Sequence, residues 1–124
     1  MKTILFIDDE PYIIDGLRRT LRPMRHEWTV VFASNGAEAL ELIGQQPFDV
    51  IVTDMRMPGM SGIELLKRAI AVSPRSVRIM LTGNADQQTS VDASNEGQVF
   101  RFLTKPCLTD LMLKTLHAAL EQSP

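Results

Sequence analysis

KTILFIDDEP, residues 2–11, is the stretch that decides the fold. Its four consecutive apolar residues, 4–7, run directly into Asp8, Asp9 and Glu10 and then into Pro11. An unbroken apolar run is typical of a parallel strand that is covered on both faces. A proline just after it suits the first turn of a helix, where the missing N–H costs nothing. The stretch therefore predicts a buried strand that delivers three carboxylates to the start of a helix.

Further apolar, β-branched runs follow this strand, and helical patterns separate them. The predicted strands span residues 3–7, 29–33, 48–53, 77–81 and 99–103. Strands that alternate with helices imply right-handed crossovers and a layered α/β domain. The predicted fold is a flavodoxin-like (βα)5 domain with a doubly wound, parallel five-stranded sheet in the order 2-1-3-4-5. In this arrangement the ligand crevice lies at the carboxyl ends of the first and third strands.

The predicted helices have recognisable ends and apolar faces. Pro23 is expected to end the first helix, Glu10 to suit its start, and Asn35 to cap a second helix over 37–42. Ser61 and Glu64 form a capping box for the third helix. Its apolar stripe is read as Ile63, Leu66 and Ile70, and leucines 113, 116 and 120 mark the last helix. The helix predicted over 86–96 has few apolar residues, so packing should hold it weakly.

Composition limits the classes of function. The chain has 124 residues and is 44% hydrophobic, which fits one domain, predicted over 1–121, with 122–124 as a tail or the start of a linker. A net charge of −2 gives no reason to expect nucleic acid or an anionic membrane as the main partner. No apolar run approaches the roughly 20 residues that span a bilayer. The single cysteine, Cys107, excludes an internal disulfide and fits the reducing cytoplasm.

Polar residues follow four of the predicted strands. They are Asp8 and Asp9, Asp54, Thr82, and Lys105. Each has an ordinary explanation, since acids cap helices, aspartate and threonine occur in turns, and lysine is common on surfaces. Parallel strands, however, bring all these groups to the same edge of the sheet. Their convergence favours a functional site.

The acidic residues at this edge predict a cation site. Like charges about 4 Å apart repel by about 4 kcal/mol at an effective dielectric near 20, so clustered carboxylates either take up protons or hold a cation. Ligands that are all oxygen suit a hard ion, Mg²⁺ or alternatively Mn²⁺. Because Mg²⁺ accepts phosphate oxygens as further ligands, phosphoryl chemistry is favoured, and an aspartate such as Asp54 can accept a phosphoryl group.

The motifs FIDDEP, VTDMRMPGMSG, MLTG and FLTKP together resemble the receiver domain of two-component response regulators, over essentially the whole chain. The resemblance implies that Asp54 is the phosphoacceptor and that Asp9 and Asp54 bind Mg²⁺ directly. It implies further metal contacts from the backbone carbonyl of Arg56 and, through a water molecule, from Asp8. The Pro58-Gly59 pair matches the turn that follows the phosphoacceptor in this family.

The same resemblance assigns roles around the phosphoryl group. Thr82 is expected to be the switch hydroxyl and Phe102 the switch aromatic residue. Lys105 is expected to bind the phosphoryl group, with a cis peptide bond between Lys105 and Pro106. Arg56 and Asn84 flank the path of the attacking water in this family, so they should tune the lifetime of the phosphorylated state, and slow self-dephosphorylation is favoured.

The resemblance implies a phosphorylation-activated switch rather than an enzyme with an external substrate. Its partner would be a sensor histidine kinase or a phosphotransfer protein. Its output would be a change in the face formed by the helix over 86–96, the fifth strand and the last helix, which could also form a phosphorylation-dependent homodimer. No output motif or DNA-binding helix-turn-helix is recognised, so the chain is expected to be a stand-alone receiver or, as is favoured, an excised N-terminal domain whose output domain is absent from this sequence.

Three alternatives remain at this point. One is a Mg²⁺-dependent aspartyl-phosphate phosphohydrolase, although such enzymes usually carry an acid two residues after the nucleophile, where this chain has Arg56. Another is a flavodoxin-like cofactor binder, although no phosphate-cradling loop follows the first strand. The arginines of the first helix region, Arg18, Arg19, Arg22 and Arg25, invite a nucleic-acid interpretation, but a solvated helix face is favoured.

Overall fold

The computed structural model describes residues 2–82, 99–104 and 109–122. In chain order its elements are β1 (Lys2–Ile7), α1 (Pro11–Leu21), a 3-10 turn (Arg22–Met24), β2 (Trp28–Ala33), α2 (Gly36–Gln45), β3 (Val50–Asp54), α3 (Gly62–Val72), β4 (Val77–Thr82), β5 (Arg101–Thr104) and the C-terminal helix (Thr109–Gln122). The strands form one parallel sheet in the order β2-β1-β3-β4-β5, which confirms the predicted fold and strand order. The helix predicted over 86–96 lies outside the described residues. Within the described ranges, no helix is long and apolar enough to cross a membrane.

The central strand β1 is buried on both faces, as its unbroken apolar run predicts. Leu5 and Ile7 pack into an apolar cluster with α2 and α3. Ile4 and Phe6 face the other way and pack with α1 and the C-terminal helix. The side-chain period of two along the strand thus fills both layers, and the polar residues of the motif fall where the strand ends.

The first helix ends just before Pro23, as predicted. The α-helix ends at Leu21, and Pro23 lies inside the 3-10 turn that follows it. Proline has no N–H for the bond to the carbonyl four residues earlier, and its ring clashes with that carbonyl. The α-helix therefore stops two residues before Pro23.

The third helix differs in detail from the prediction. The Ser61 hydroxyl accepts a hydrogen bond from the Glu64 N–H at 3.2 Å, which is half of the predicted capping box. The Glu64 carboxylate instead forms an ion pair with Arg68 at 3.0 Å, one turn further along the helix. The buried face of the helix consists of Gly62, Leu65, Leu66 and Ala69, and Ile63 and Ile70 lie half-buried at its margins.

The sheet contains a buried arginine. Arg78 in β4 is 9% exposed, and its guanidinium donates a hydrogen bond to the Ser76 carbonyl at 2.8 Å. Burial lowers the pKa of Arg78 from its ordinary value. Arg78 is near the amino end of its strand and so lies at the end of the sheet away from the acidic residues.

Candidate functional site

Four carboxylates meet at the carboxyl ends of β1 and β3. Oxygen atoms from Asp8, Asp9, Glu10 and Asp54 all lie within 4.8 Å of one another. The strands are adjacent and in register, with Ile7 opposite Thr53, so the residues that follow are neighbours. Asp8 is 1% exposed and Asp54 is 7% exposed, whereas the other two carboxylates are half-buried. We call these four residues the acid cluster.

Backbone hydrogen bonds fix the position of Asp8. Its N–H donates to the Ala33 carbonyl of β2 at 3.1 Å, which extends the pairing of the strands by one residue. Its Oδ1 atom accepts a hydrogen bond from the Glu10 N–H at 2.9 Å. This local turn, common for aspartate, leads the chain from β1 into α1. Asp8 is therefore held in place at the buried side of the acid cluster.

Glu10 behaves differently from the helix-start role predicted for it. It occupies the position before α1, but its side chain makes no capping hydrogen bond. Its carboxylate accepts a hydrogen bond from the Tyr12 hydroxyl and lies in the acid cluster. Shorter side chains such as those of Asp, Asn and Ser fit the capping geometry better. The sequence did contain a sign of this arrangement, because Glu10 directly follows Asp8 and Asp9 at the end of a strand.

The loop after Asp54 is tied to the sheet and to α3. The Met55 N–H donates to the Leu81 carbonyl at 3.1 Å, and the Gly62 N–H donates to the Met55 carbonyl at 2.9 Å. The Arg56 N–H makes a long hydrogen bond of 3.4 Å to Asp54 Oδ1. Gly59 has a φ of 80°, a left-handed conformation that glycine adopts readily and that agrees with the predicted turn.

Gly62 is a constraint on this site that the sequence analysis missed. A Cβ atom at this position would lie 2.2 Å from the Asp54 carbonyl oxygen. The first turn of α3 thus packs directly against the backbone of Asp54. A glycine immediately after the capping Ser61, where it is a poor helix former, was the only signal in the sequence.

The remaining predicted site residues are only partly within the described ranges. Thr82 ends β4, is 7% exposed and lies one residue beyond Leu81, the neighbour of Asp54 across the sheet. Phe102 in β5 is half-buried and packs against the apolar cluster on the α2 and α3 side. The side chain of Arg56 is exposed. Asn84, Lys105 and Pro106 lie outside the described residues, so their roles stay predictions.

The chemistry of the acid cluster fits a hard divalent cation. All its donor atoms are carboxylate oxygens, which Mg²⁺ and Mn²⁺ prefer over the nitrogen and sulfur ligands typical of zinc. Two of its members are nearly inaccessible to solvent, so water screens their mutual repulsion poorly.

Comparisons with known proteins agree with this geometry. The family model of the response regulator receiver domain matches residues 4–117. The hydrogenase transcriptional regulatory protein HoxA of Cupriavidus necator is 37% identical over 119 residues, which are 96% of this chain and 24% of that protein. The transcriptional regulatory protein GlrR of Escherichia coli is 35% identical over 122 residues, 97% of this chain and 26% of that protein.

Solved structures give the same result. The crystal structure of an adenylate cyclase from Rhodopirellula baltica has a TM-score of 0.89 and 43% identity, covering 98% of this chain and 88% of that one. The signal receiver domain of an HD domain-containing protein from Pseudomonas fluorescens has a TM-score of 0.91 and 33% identity, covering 97% and 87%.

The chain spans about a quarter of the length of the first curated relatives that it matches. Receiver domains bind Mg²⁺ at an acidic pocket, and this chain has an acid cluster at the corresponding edge of the sheet. With its fold, its acid cluster and a family match over residues 4–117, the chain belongs to the response regulator receiver domains of two-component signal transduction.

Proposed function

We propose that Asp54 accepts a phosphoryl group from a histidine kinase or a phosphotransfer protein in a Mg²⁺-dependent reaction, and that this modification switches the domain. The observation that carries the proposal is the acid cluster, in which the carboxylate of Asp54 lies within 4.8 Å of three others at the carboxyl edge of the sheet. This arrangement supports the proposal, because it would couple the acceptor to a cation site.

The metal would be held by residues of the cluster and its loop. Asp9 and Asp54 would bind Mg²⁺ directly, with the backbone carbonyl of Arg56, and Asp8 would act through a water molecule. Asp8 suits this indirect role because one of its oxygens already accepts the Glu10 N–H at 2.9 Å. When bound, the ion supplies positive charge that offsets the charge of the carboxylates and of the phosphoryl oxygens.

The transfer itself needs positioning more than covalent help from the protein. One carboxylate oxygen of Asp54 forms a bond to phosphorus while the phosphorus–nitrogen bond to the donor histidine breaks. The bonding electron pair leaves with the imidazole nitrogen, and Asp54 becomes an acyl phosphate. Lys105 and the Thr82 hydroxyl would then contact two of the phosphoryl oxygens.

Switching would follow from the movement of Thr82 towards the new phosphoryl group. Phosphorylation adds close to two negative charges and three acceptor oxygens. Thr82 would vacate space that Phe102 fills, and the ring can move by packing alone because it has no hydroxyl that needs a partner. The half-buried position of Phe102 supports this, since the ring still has area to bury. The face formed by 86–96, β5 and the C-terminal helix would respond as a two-state unit.

The domain would catalyse only its own phosphorylation and dephosphorylation. The exposed Arg56 side chain and Asn84 would lie beside the path of the attacking water and slow hydrolysis. A phosphohydrolase acting on an external substrate is not supported, because the position two residues after Asp54 carries Arg56 rather than an acid.

The domain would work as the receiver of a larger regulator in the cytoplasm. The curated relatives named above are about four times as long as the part that matches, so an output domain would lie elsewhere in the full protein. The face of β5 and the C-terminal helix would contact that output or a second phosphorylated copy.

The test is phosphorylation by acetyl phosphate with Mg²⁺, followed by intact-mass spectrometry. The chain should gain one alkali-labile phosphoryl group, and chelation of the metal should prevent this. Asp54→Asn should abolish the gain, whereas the exposed Asp15→Asn on α1 should leave it unchanged. Uptake of a phosphoryl group by Asp54→Asn would refute the assignment, and multiple turnover on a phosphate ester would support the phosphohydrolase instead.

A further inference from the structure

A groove of about 290 Å³ lies between the end of α1 and β2. Its floor is apolar and its rim is basic: Trp28, Val30 and Phe32 line the floor, and Arg18, Arg22 and Arg25 line the rim. The floor runs along β2 from Trp28, opposite Lys2 of β1, to Phe32, opposite Phe6, and no residue of the acid cluster lines the groove. The groove is therefore a separate feature of the surface.

The positive charge at the rim is not neutralised by an ion pair within the described part of the chain. The Arg18 guanidinium lies 4.4 Å from the centroid of the Phe32 ring, and Arg25 donates to the Arg22 carbonyl at 3.1 Å. Among the described residues, no carboxylate forms an ion pair with any of the three arginines. Favourable interaction with the end of α1 explains Arg18 in its last turn, but this effect fades beyond that turn and does not explain Arg25.

The strand beside the groove, β2, has one unpaired edge. Among the described strands it lies at the edge of the sheet and pairs only with β1. The Ala33 carbonyl faces β1, because it accepts the Asp8 N–H at 3.1 Å. Peptide groups alternate in direction along a strand, so those of Val30 and Phe32 face the outer edge. No backbone hydrogen bond within the described ranges reaches them from outside the sheet.

The groove is not shaped for nucleic acid. Single-stranded nucleic acid needs exposed aromatic faces on which bases stack. Here Trp28 is 5% exposed, and the Phe32 ring already contacts the Arg18 guanidinium and stacks on the Phe6 ring, whose centroid is 5.7 Å away.

We propose that the groove and the outer edge of β2 bind an extended acidic peptide segment of a partner protein. The segment would add to β2 as a further strand and bond with the free peptide groups of Val30 and Phe32. Side chains at alternate positions of the segment would face the α1 side, so carboxylates at those positions would meet the guanidinium groups of Arg18, Arg22 and Arg25.

The test uses a short, fluorescein-labelled synthetic peptide of alternating glutamate and threonine, with binding measured by fluorescence anisotropy. Binding should weaken as salt is added, because the contacts at the rim are exposed charges. The double variant Arg22→Gln, Arg25→Gln should bind about fivefold more weakly, the loss expected for two exposed ion pairs. The matched variant Arg75→Gln, at an exposed arginine far along the chain, should bind as the original does.

A second measurement on the unaltered chain tests strand addition directly. Saturating peptide should slow amide hydrogen exchange at Val30 and Phe32. The proposal is refuted if these amides do not change, if Arg75→Gln weakens binding as much as the double variant, or if the peptide does not bind at low salt. It is also refuted if oligothymidine or anionic phospholipid vesicles bind the groove more tightly than the peptide, which would assign the basic rim to another class of partner.

Discussion

At the scale of single residues, Gly62 shows how closely α3 approaches the proposed phosphoacceptor. A Cβ atom here would lie 2.2 Å from the Asp54 carbonyl oxygen, and backbone cannot yield as a flexible side chain would. Gly62→Ala should therefore lower the free energy of unfolding by about 1–3 kcal/mol, as overpacked positions do. It should also slow phosphorylation by acetyl phosphate, because the backbone of Asp54 must shift.

Gly44 provides the matched control for this substitution. It lies in α2, and a Cβ atom there would meet nothing within 4 Å. Gly44→Ala should raise the free energy of unfolding by up to about 1 kcal/mol through helix propensity and leave phosphorylation unchanged. Urea unfolding and the phosphorylation rate would be measured for both variants. Equal effects in the two variants would show that contact with Asp54 is not the cause.

The residues at the site differ in how far the sequence could predict them. Asp8, Asp9 and Asp54 could be placed together because parallel strands end at one edge. The role of Glu10 could not be predicted in the same way, since its carboxylate can turn either towards the start of α1 or towards the acid cluster. Gly62 was missed because its constraint comes from a contact across the loop with Asp54, which no local pattern encodes.

At the scale of elements, the start of α3 is held by a side-chain cap. The Ser61 hydroxyl accepts the Glu64 N–H at 3.2 Å, and the reciprocal bond of a full capping box is replaced by the ion pair with Arg68. Ser61→Ala should lower the free energy of unfolding by about 1 kcal/mol. Ser34 is a suitable control, because its exposed hydroxyl bonds to the Glu38 side chain rather than to a helix N–H.

Ser34→Ala should change the free energy of unfolding by no more than about 0.5 kcal/mol, as is usual for exposed positions. Both variants can be compared by chemical denaturation, with one common m-value, the slope of the free energy of unfolding against denaturant concentration. If Ser61→Ala cost no more than Ser34→Ala, the cap would not contribute to the stability of α3.

Element boundaries were predicted less well than element types, for physical reasons. The fifth strand was predicted to begin at residue 99, but it begins at Arg101. Val99 and Phe100 are apolar and so resemble strand residues, but they precede the paired part of the strand. Phe100 makes one backbone hydrogen bond there, from its N–H to the Arg78 carbonyl at 2.8 Å. The buried face of α3 is centred on Leu65 and Leu66, since which part of a broad apolar stripe is covered depends on the neighbouring helix and sheet.

At the scale of the whole molecule, the acid cluster couples metal binding to stability. Asp54 lies within 4.8 Å of the three carboxylates that follow β1, and this repulsion in the folded chain is relieved on unfolding, when Asp54 moves away from them. Asp9→Asn should therefore raise the free energy of unfolding by about 1 kcal/mol when the metal is chelated. With saturating Mg²⁺ the order should reverse, because the original chain gains stability from the ion and the variant gains less.

Thermal unfolding with and without Mg²⁺ measures this reversal. Asp15→Asn, on the exposed part of α1, should respond to the ion as the original chain does. If Asp9→Asn gained as much stability from Mg²⁺ as the original chain, Asp9 would not be a metal ligand.

The strand order could be predicted from sequence alone because few sheet topologies are compatible with the pattern of strands and helices. Alternating strands and helices with right-handed crossovers leave one simple arrangement in which the apolar β1 is central. Sequence patterns do not predict which edge strand stays open to partners. The openness of an edge strand depends on which peptide groups face outward, here those of Val30 and Phe32, and on where the arginines of the groove rim lie.

The position of Trp28 has a practical consequence. It is the only tryptophan, it is buried in the floor of the groove, and its ring lies 4.9 Å from that of His117 on the C-terminal helix. Its emission therefore comes from the end of the sheet opposite the acid cluster. The chain has an intrinsic optical probe of events at β2 and the C-terminal helix, and chemistry at Asp54 will alter this signal only if the change travels through the sheet.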